Sequence, residues 1–152
     1  QEIADRVIEE PSDCIVKVTL AGLCGSDLHP FYGREQGIDR HTVMGHEFVG
    51  EVVACGPESR IPLGTVVGAP FTTSCGKCFY CRRGFFARCE AGQLFGWREN
   101  GRGLHGGQAE YVRVPHADGT LVPLRGIQPE IGLLLGDNFL SFSRLAFLVF
   151  LL

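Results

Sequence analysis

A chain of 152 residues, 45% hydrophobic and 20% charged, suffices for one globular domain burying about two-thirds of its unfolded surface, which excludes a fibrous or disordered chain. Fourteen Lys and Arg against seventeen Asp and Glu leave a net charge of −3, too little basic field to gather phosphate backbones, so no nucleic acid partner is expected. Twenty-one glycines, about twice the usual share, favour short strands and tight turns over a helical bundle, and the expected fold class is mainly β with short helices.

Residues 1–10 are polar and acidic, without a basic start and apolar run, so no secretory signal is read and a cytoplasmic chain with reduced thiols is expected. Val16, Val18 and Leu20 then alternate with Lys17 and Thr19, the period of a half-buried strand that ends near Cys24. The same pattern predicts strands over 48–54 after Gly45-His46-Glu47, over 66–70 after Gly64, and over 111–114 before Pro115. Residues 75–107 are rich in Cys, Gly and Arg and weak in periodicity, which marks a loop lobe that apolar burial cannot hold together. Pro129, with Glu130, Ile131, Leu134 and Leu135 after it, predicts a short helix with proline in its first turn and leucines on one face. Residues 139–152 are nearly all apolar but fall short of the ~20 that span a bilayer, so burial against a partner is expected rather than a membrane.

Seven cysteines raise disulfides or metal ligation, and spacing decides. Cys75, Cys78, Cys81 and Cys89 follow C-x2-C-x2-C-x7-C, in which two-residue gaps let the chain fold back so that successive sulfurs converge on one ion. Four thiolates close a tetrahedral zinc site that has no open position for chemistry, and the binding energy, on the order of 10 kcal/mol, becomes folding energy. An iron–sulfur cluster is the chemical rival, but the ferredoxin run ends with a three-residue gap and a proline, whereas here the gap is seven and Glu90 follows.

A second constellation joins Cys24-Gly25-Ser26-Asp27-Leu28-His29, which ends the first strand, with Gly45-His46-Glu47 before the next. A Cys, a His and a carboxylate are what an open catalytic zinc site uses, although a lone Cys or His is more often a core residue. Phe31, Phe95 and Trp97 could line an apolar pocket, yet aromatics in a Gly-rich β domain belong more often to the core. A GxGxxG spacing at Gly101, Gly103 and Gly106 runs into a strand rather than a helix and is rejected as a dinucleotide motif.

With CGSDLH at 24–29, GHEFVGEV at 45–52, CGKCFYC at 75–81 plus Cys89, and GGQAEYVRVP at 106–115, the sequence resembles the zinc-dependent alcohol dehydrogenases of the medium-chain dehydrogenase/reductase family from about residue 13 to 138. The resemblance implies a GroES-like catalytic domain over 1–128, a partly open β-barrel with its cysteine lobe at 75–107. A connecting helix would begin over 129–138, and 139–152 would be a tail foreign to the family. It implies further that Cys24 and His46 bind a catalytic zinc and that the cysteine quartet holds a structural one. Where most members place a third ligand cysteine, the stretch LLLGDN offers Asp137, as in the subgroup around glutathione-independent formaldehyde dehydrogenase. One thiolate, one imidazole and one carboxylate would leave the zinc site neutral and the ion a stronger Lewis acid. Asp27 would fix the His46 tautomer, Glu47 would serve as an occasional ligand or support, Ser26 would pass the substrate proton on and His29 would carry it to solvent. A smaller departure is Gly64-Thr65-Val66-Val67, where the family usually shows Gly-Asp-Arg-Val.

The implied activity is hydride transfer from a small alcohol held at zinc, or the reverse from an aldehyde, to a nicotinamide cofactor in the complete enzyme. Only residues 138–152 follow Asp137, fewer than the ~30 of one βαβ unit, so the NAD-holding Rossmann domain is expected to be absent and the chain inactive by itself. The alternative expectation is a non-enzymatic, zinc-binding truncated product that associates with full-length subunits, and a homo-oligomer is left open.

Overall fold

The computed structural model describes residues 6–137 and, of Asp137, the backbone alone. The ligand role expected of Asp137 and the apolar tail at 139–152 therefore lie outside the described residues.

The alternating segments form an open five-stranded antiparallel sheet. β1 (Cys14–Ala21) pairs on one side with β2 (Phe48–Cys55) and on the other with β6 (Tyr111–Val114), while β3 (Val66–Ala69) and β7 (Val122–Pro123) extend it beyond β2. A separate hairpin joins β4 (Trp97–Glu99) to β5 (Arg102–Leu104). The sheet edges, β6 and β7, do not pair with each other, so among the described residues the expected barrel is an open sheet. Among the described residues three short α-helices accompany the strands, α1 (Leu28–Phe31), α2 (Ala117–Thr120) and α3 (Pro129–Asp137), together with 3-10 turns at Gly25–Asp27, Cys81–Arg83 and Phe86–Arg88.

Val16, Val52, Val67, Val112 and Val114 meet on the covered face of the sheet, each with no solvent exposure. Branched side chains fit that pleated surface, and each contributes roughly 1.5–3 kcal/mol by leaving water. Phe48 of β2 meets Phe95 edge to face with centroids 5.1 Å apart, which fastens the loop lobe to the sheet. At the far end, buried Asp13 accepts backbone N–H bonds from Glu9 and Glu10 and a 2.9 Å bond from Arg113 on β6, tying the N-terminal segment to the sheet edge.

Two expectations are corrected. Cys14 and Cys55 are joined as a disulfide, because the β1–β2 register sets them opposite each other with Cα atoms 4.1 Å apart. Reduced thiols hold only for Cys24, Cys75, Cys78, Cys81 and Cys89. In α3 the buried face is glycine, not leucine: Gly132 lies against Leu124 and Gly136 against the Ala69 carbonyl, whereas Ile131 and Leu134 are exposed. Hydrogen in place of a side chain at i and i+4 lets the helix backbone lie close on β3, which outweighs burying the larger groups there. No helix among the described residues is long and apolar enough to cross a membrane.

His105, just after β5, accepts the Val43 N–H at Nδ1 (3.1 Å). Burial, reinforced by Arg6 and Arg98, pushes its imidazole down from 6.5 to about 4. The unfolded chain takes up a proton that the folded chain refuses, so this contribution to stability is complete above pH 6.5 and is lost as pH falls toward 4. His105→Gln is expected to flatten the pH dependence of the urea midpoint across that window, and a slope equal to wild type would contradict the assignment.

Candidate metal centres

The cysteine lobe is closed at its base by Thr73, whose N–H and hydroxyl bond Gln93, and by Ser74, whose N–H donates to Thr120 of α2. Above that base the chain is nearly all turns. Tight 3-10 turns at Cys81–Arg83 and Phe86–Arg88 bring Cys81 and Cys89 back toward Cys75 and Cys78, and a ligand atom from each lies within 4.8 Å of the others. Phe79, Tyr80, Phe85 and Phe86 are all exposed, so apolar burial does not hold residues 75–92, whereas the rest of the expected loop lobe differs from that reading: Phe95 and Leu104 join the core and β4 pairs with β5.

The thiols pull in opposite directions. The Cys81 and Glu90 backbone N–H groups bring Cys78 down to about 6, while burial pushes Cys81 up to about 12. Four thiols this close cannot all ionise unless a cation lies among them, and a tetrahedral Zn–S distance of ~2.3 Å would set sulfurs about 3.8 Å apart. The quartet fits such an ion.

The second cluster draws on two strand ends. β1 delivers Cys24 after its last pair, and the 3-10 turn Gly25–Asp27 folds back so that the Asp27 Oδ2 accepts the Cys24 N–H at 2.9 Å. His46 and Glu47 immediately precede β2. Their turn is held by a neighbouring segment: Gly106, Gly107 and Gln108 donate their N–H groups to the carbonyls of Val43, Gly45 and Met44. Gly45 needs its φ of +92°, and a Cβ at Gly106 would strike the Gly45 and Met44 carbonyls, so both glycines are required for this fit.

The result is a compact donor set. Ligand atoms of Cys24, His46 and Glu47 lie within 4.8 Å of one another, and Cys24 Sγ is 3.3 Å from His46 Nε2. Bonds of ~2.3 Å to sulfur and ~2.05 Å to nitrogen in a tetrahedron would separate these two atoms by about 3.5 Å, so the residues fit a zinc ion. Ser26 Oγ is within hydrogen-bond reach of both Cys24 Sγ and His46 Nε2. Asp27 Oδ1 stands 3.5 Å from His46 Nδ1, with side chains only 5% and 12% exposed, and makes no hydrogen bond among the described residues. His29 is not drawn in; its Nδ1 turns to Glu35 at 3.7 Å, on a half-exposed pair.

Beside this cluster opens a cavity of about 290 Å³ that Ser26 and His46 share with Met44, Phe71, Leu94, Phe95 and Trp97. Of the three aromatics singled out in the sequence, Phe95 and Trp97 line it, whereas Phe31 is 80% exposed and does not. Met44, Phe71 and Leu94 carry no signal in the sequence, because separate loops supply them. The Phe95 N–H bond to the Phe71 carbonyl and the Thr72–Leu94 bridge bring two of those loops together.

Residues 10–125 match the alcohol dehydrogenase GroES-like domain family. The chain is 48% identical over 134 residues to zinc-type alcohol dehydrogenase B of Aspergillus flavus, covering 87% of this chain and 30% of that protein. It is 38% identical over 117 residues to glutathione-independent formaldehyde dehydrogenase of Pseudomonas aeruginosa, covering 72% and 29%. The solved alcohol dehydrogenase TADH from Thermus sp. ATN1 superposes with a TM-score of 0.83 at 39% identity, over 90% of this chain and 40% of that one. The chain thus spans well under half the length of each.

Proposed function

Because this chain belongs to the alcohol dehydrogenase GroES-like domain family, we propose that it is the zinc-binding catalytic part of an NAD-dependent alcohol or aldehyde dehydrogenase. Residues 1–128 would form the catalytic domain and 129–138 the start of the connection to a nucleotide domain. The supporting observation is the convergence of Cys24, His46 and Glu47 beside an apolar cavity.

Cys24 and His46 would hold the catalytic zinc, with Glu47 or Asp137 completing the donor set, and the quartet Cys75, Cys78, Cys81 and Cys89 would hold a structural zinc. When bound at the first centre, zinc supplies a Lewis acid that lowers the pKa of an alcohol hydroxyl. Asp27 draws the His46 proton to Nδ1 and leaves the Nε2 lone pair free for the ion. Ser26 Oγ would take the substrate hydroxyl's proton while releasing its own, and His29, which stands apart from the cluster beside Glu35, would carry the released proton to solvent. Met44, Phe71, Leu94, Phe95 and Trp97 hold the substrate's alkyl part and exclude water. Among the described residues, Gly101, Gly103 and Gly106 lie in and after a β-hairpin, not at a helix N-terminus, and do not fit a dinucleotide; no step through NAD is assigned to them.

Cobalt substitution tests this reading. Two cobalt ions per chain are expected, each with thiolate-to-metal absorption, and a small aliphatic alcohol should shift the spectrum of one. A single centre, or two that both ignore the alcohol, would overturn the catalytic assignment and favour a non-enzymatic zinc-binding module.

A further inference from the structure

We propose that the cavity between the N-terminal segment and the β4–β5 hairpin is a binding site for a small phosphate-type oxoanion, gripped by Arg6 and Arg98 and walled by Arg113. This cavity, of about 210 Å³, shares no lining residue with the metal centres or the apolar cavity, so the inference stands apart from the proposed dehydrogenase reading.

The argument is a count of hydrogen-bond donors against acceptors. Arg113 is satisfied, with Nη1 2.9 Å from Asp13 Oδ2 and Nη2 3.1 Å from Glu9 Oε2. Those bonds take Asp13 Oδ2 and Glu9 Oε2; Asp13 Oδ1, buried without a hydrogen bond, belongs to a residue that does not line the cavity. Arg6 has no hydrogen bond or ion pair among the described residues, and its charge is disfavoured by burial and by Arg98 and Arg113 more than Glu9 favours it. A guanidinium carries five N–H donors and no acceptor, so one left in this state calls for an anion.

Arg98 is worse placed than its contacts first suggest. Its Nη2 reaches the Gly101 carbonyl only at 3.3 Å, and its Nη1 stands 2.9 Å from His105 Nε2. The Val43 N–H already uses the lone pair on His105 Nδ1. A neutral imidazole then carries its proton on Nε2, and two donors confront each other. An acceptor in the cavity could take a hydrogen bond from both and remove the conflict. Two guanidinium groups that bond no carboxylate among the described residues match the double charge of a phosphate, whose tetrahedral oxygens can bond forks arriving from different directions, better than a planar carboxylate with one charge. The volume leaves room for a short organic substituent on the phosphate.

The test titrates the 152-residue chain with sodium phosphate against sodium chloride of equal ionic strength at neutral pH, following heat by calorimetry. One saturable site is expected. Arg6→Gln and Arg98→Gln should each weaken it about tenfold or more, with far-UV circular dichroism and metal content unchanged. Should Arg98→Gln fail to fold, Arg6→Gln alone decides. Absence of saturation overturns the site, and so does unaltered affinity in the folded variants, because phosphate held by a metal centre would survive both substitutions. Sodium acetate binding as tightly as phosphate overturns the choice of ligand. Glycerol 3-phosphate separates the two sources: tighter binding than inorganic phosphate supports an ester as the ligand, weaker binding supports the free anion.

Discussion

Replacing Cys81 with serine is expected to release one tightly held zinc per chain and to unfold residues 75–92, while the five-stranded sheet survives. Cys81 is the buried member of the quartet, and burial there drives its thiol up to about 12, so of the four it depends most on a cation to ionise. With Phe79, Phe85 and Phe86 exposed, the lobe has no apolar interior to fall back on. A structural zinc is worth on the order of 10 kcal/mol, far above what the hydrogen bonds at Thr73, Ser74 and Gln93 can supply at about 1 kcal/mol each. The sheet should persist because its valine core and the Cys14–Cys55 disulfide lie outside the lobe. Metal analysis with amide hydrogen exchange checks both halves: protection should collapse across 75–92 and remain over 48–55 and 111–114. A wild-type lobe that is protected yet free of metal would remove zinc from the account.

What was legible in the sequence follows from how local each signal is. Alternation at Val16, Val18 and Leu20 requires only neighbours along the chain, and β1 forms there, although a register irregularity at Ile15/Val16 buries Cys14, Ile15 and Val16 in succession, which no period-two reading anticipates. The cysteine spacing is likewise local, since two-residue gaps by themselves bring sulfurs together. The Cys14–Cys55 pairing depends instead on the register of two strands separated by 41 positions. The cavity residues Met44, Phe71 and Leu94 come from three loops, assembled by the Gly106–Gln108 bonds to the 43–45 backbone, the Phe71–Phe95 bond and the Thr72–Leu94 bridge. In α3 the leucine pattern misled because packing distance from β3, not hydrophobicity, selects the face that faces the sheet. Arg6, Arg98 and Arg113 stand apart in sequence and meet at one cavity only after the hairpin folds over the N-terminal segment.

Asp27→Asn is expected to weaken metal binding at the Cys24–His46 centre by about 10- to 100-fold while leaving the quartet's zinc in place. The carboxylate serves two donors at once: Oδ2 accepts the Cys24 N–H, and Oδ1 faces His46 Nδ1. Oδ1 is buried and otherwise unpartnered, so satisfying it requires the imidazole proton to sit on Nδ1, which bares the Nε2 lone pair toward Cys24 Sγ. An asparagine has one oxygen. If that oxygen keeps the Cys24 N–H, the amide nitrogen faces Nδ1, the imidazole proton moves to Nε2, and the metal must displace it before the ring can coordinate. If the amide flips, the Cys24 N–H loses its acceptor and the 3-10 turn that positions the thiol is loosened. Either outcome lowers affinity without deleting a ligand, whereas Cys24→Ala should abolish the second site outright. Cobalt titration against a competing chelator separates the cases: wild-type affinity in Asp27→Asn would show that the aspartate does not govern the tautomer, and wild-type stoichiometry in Cys24→Ala would move the second metal elsewhere.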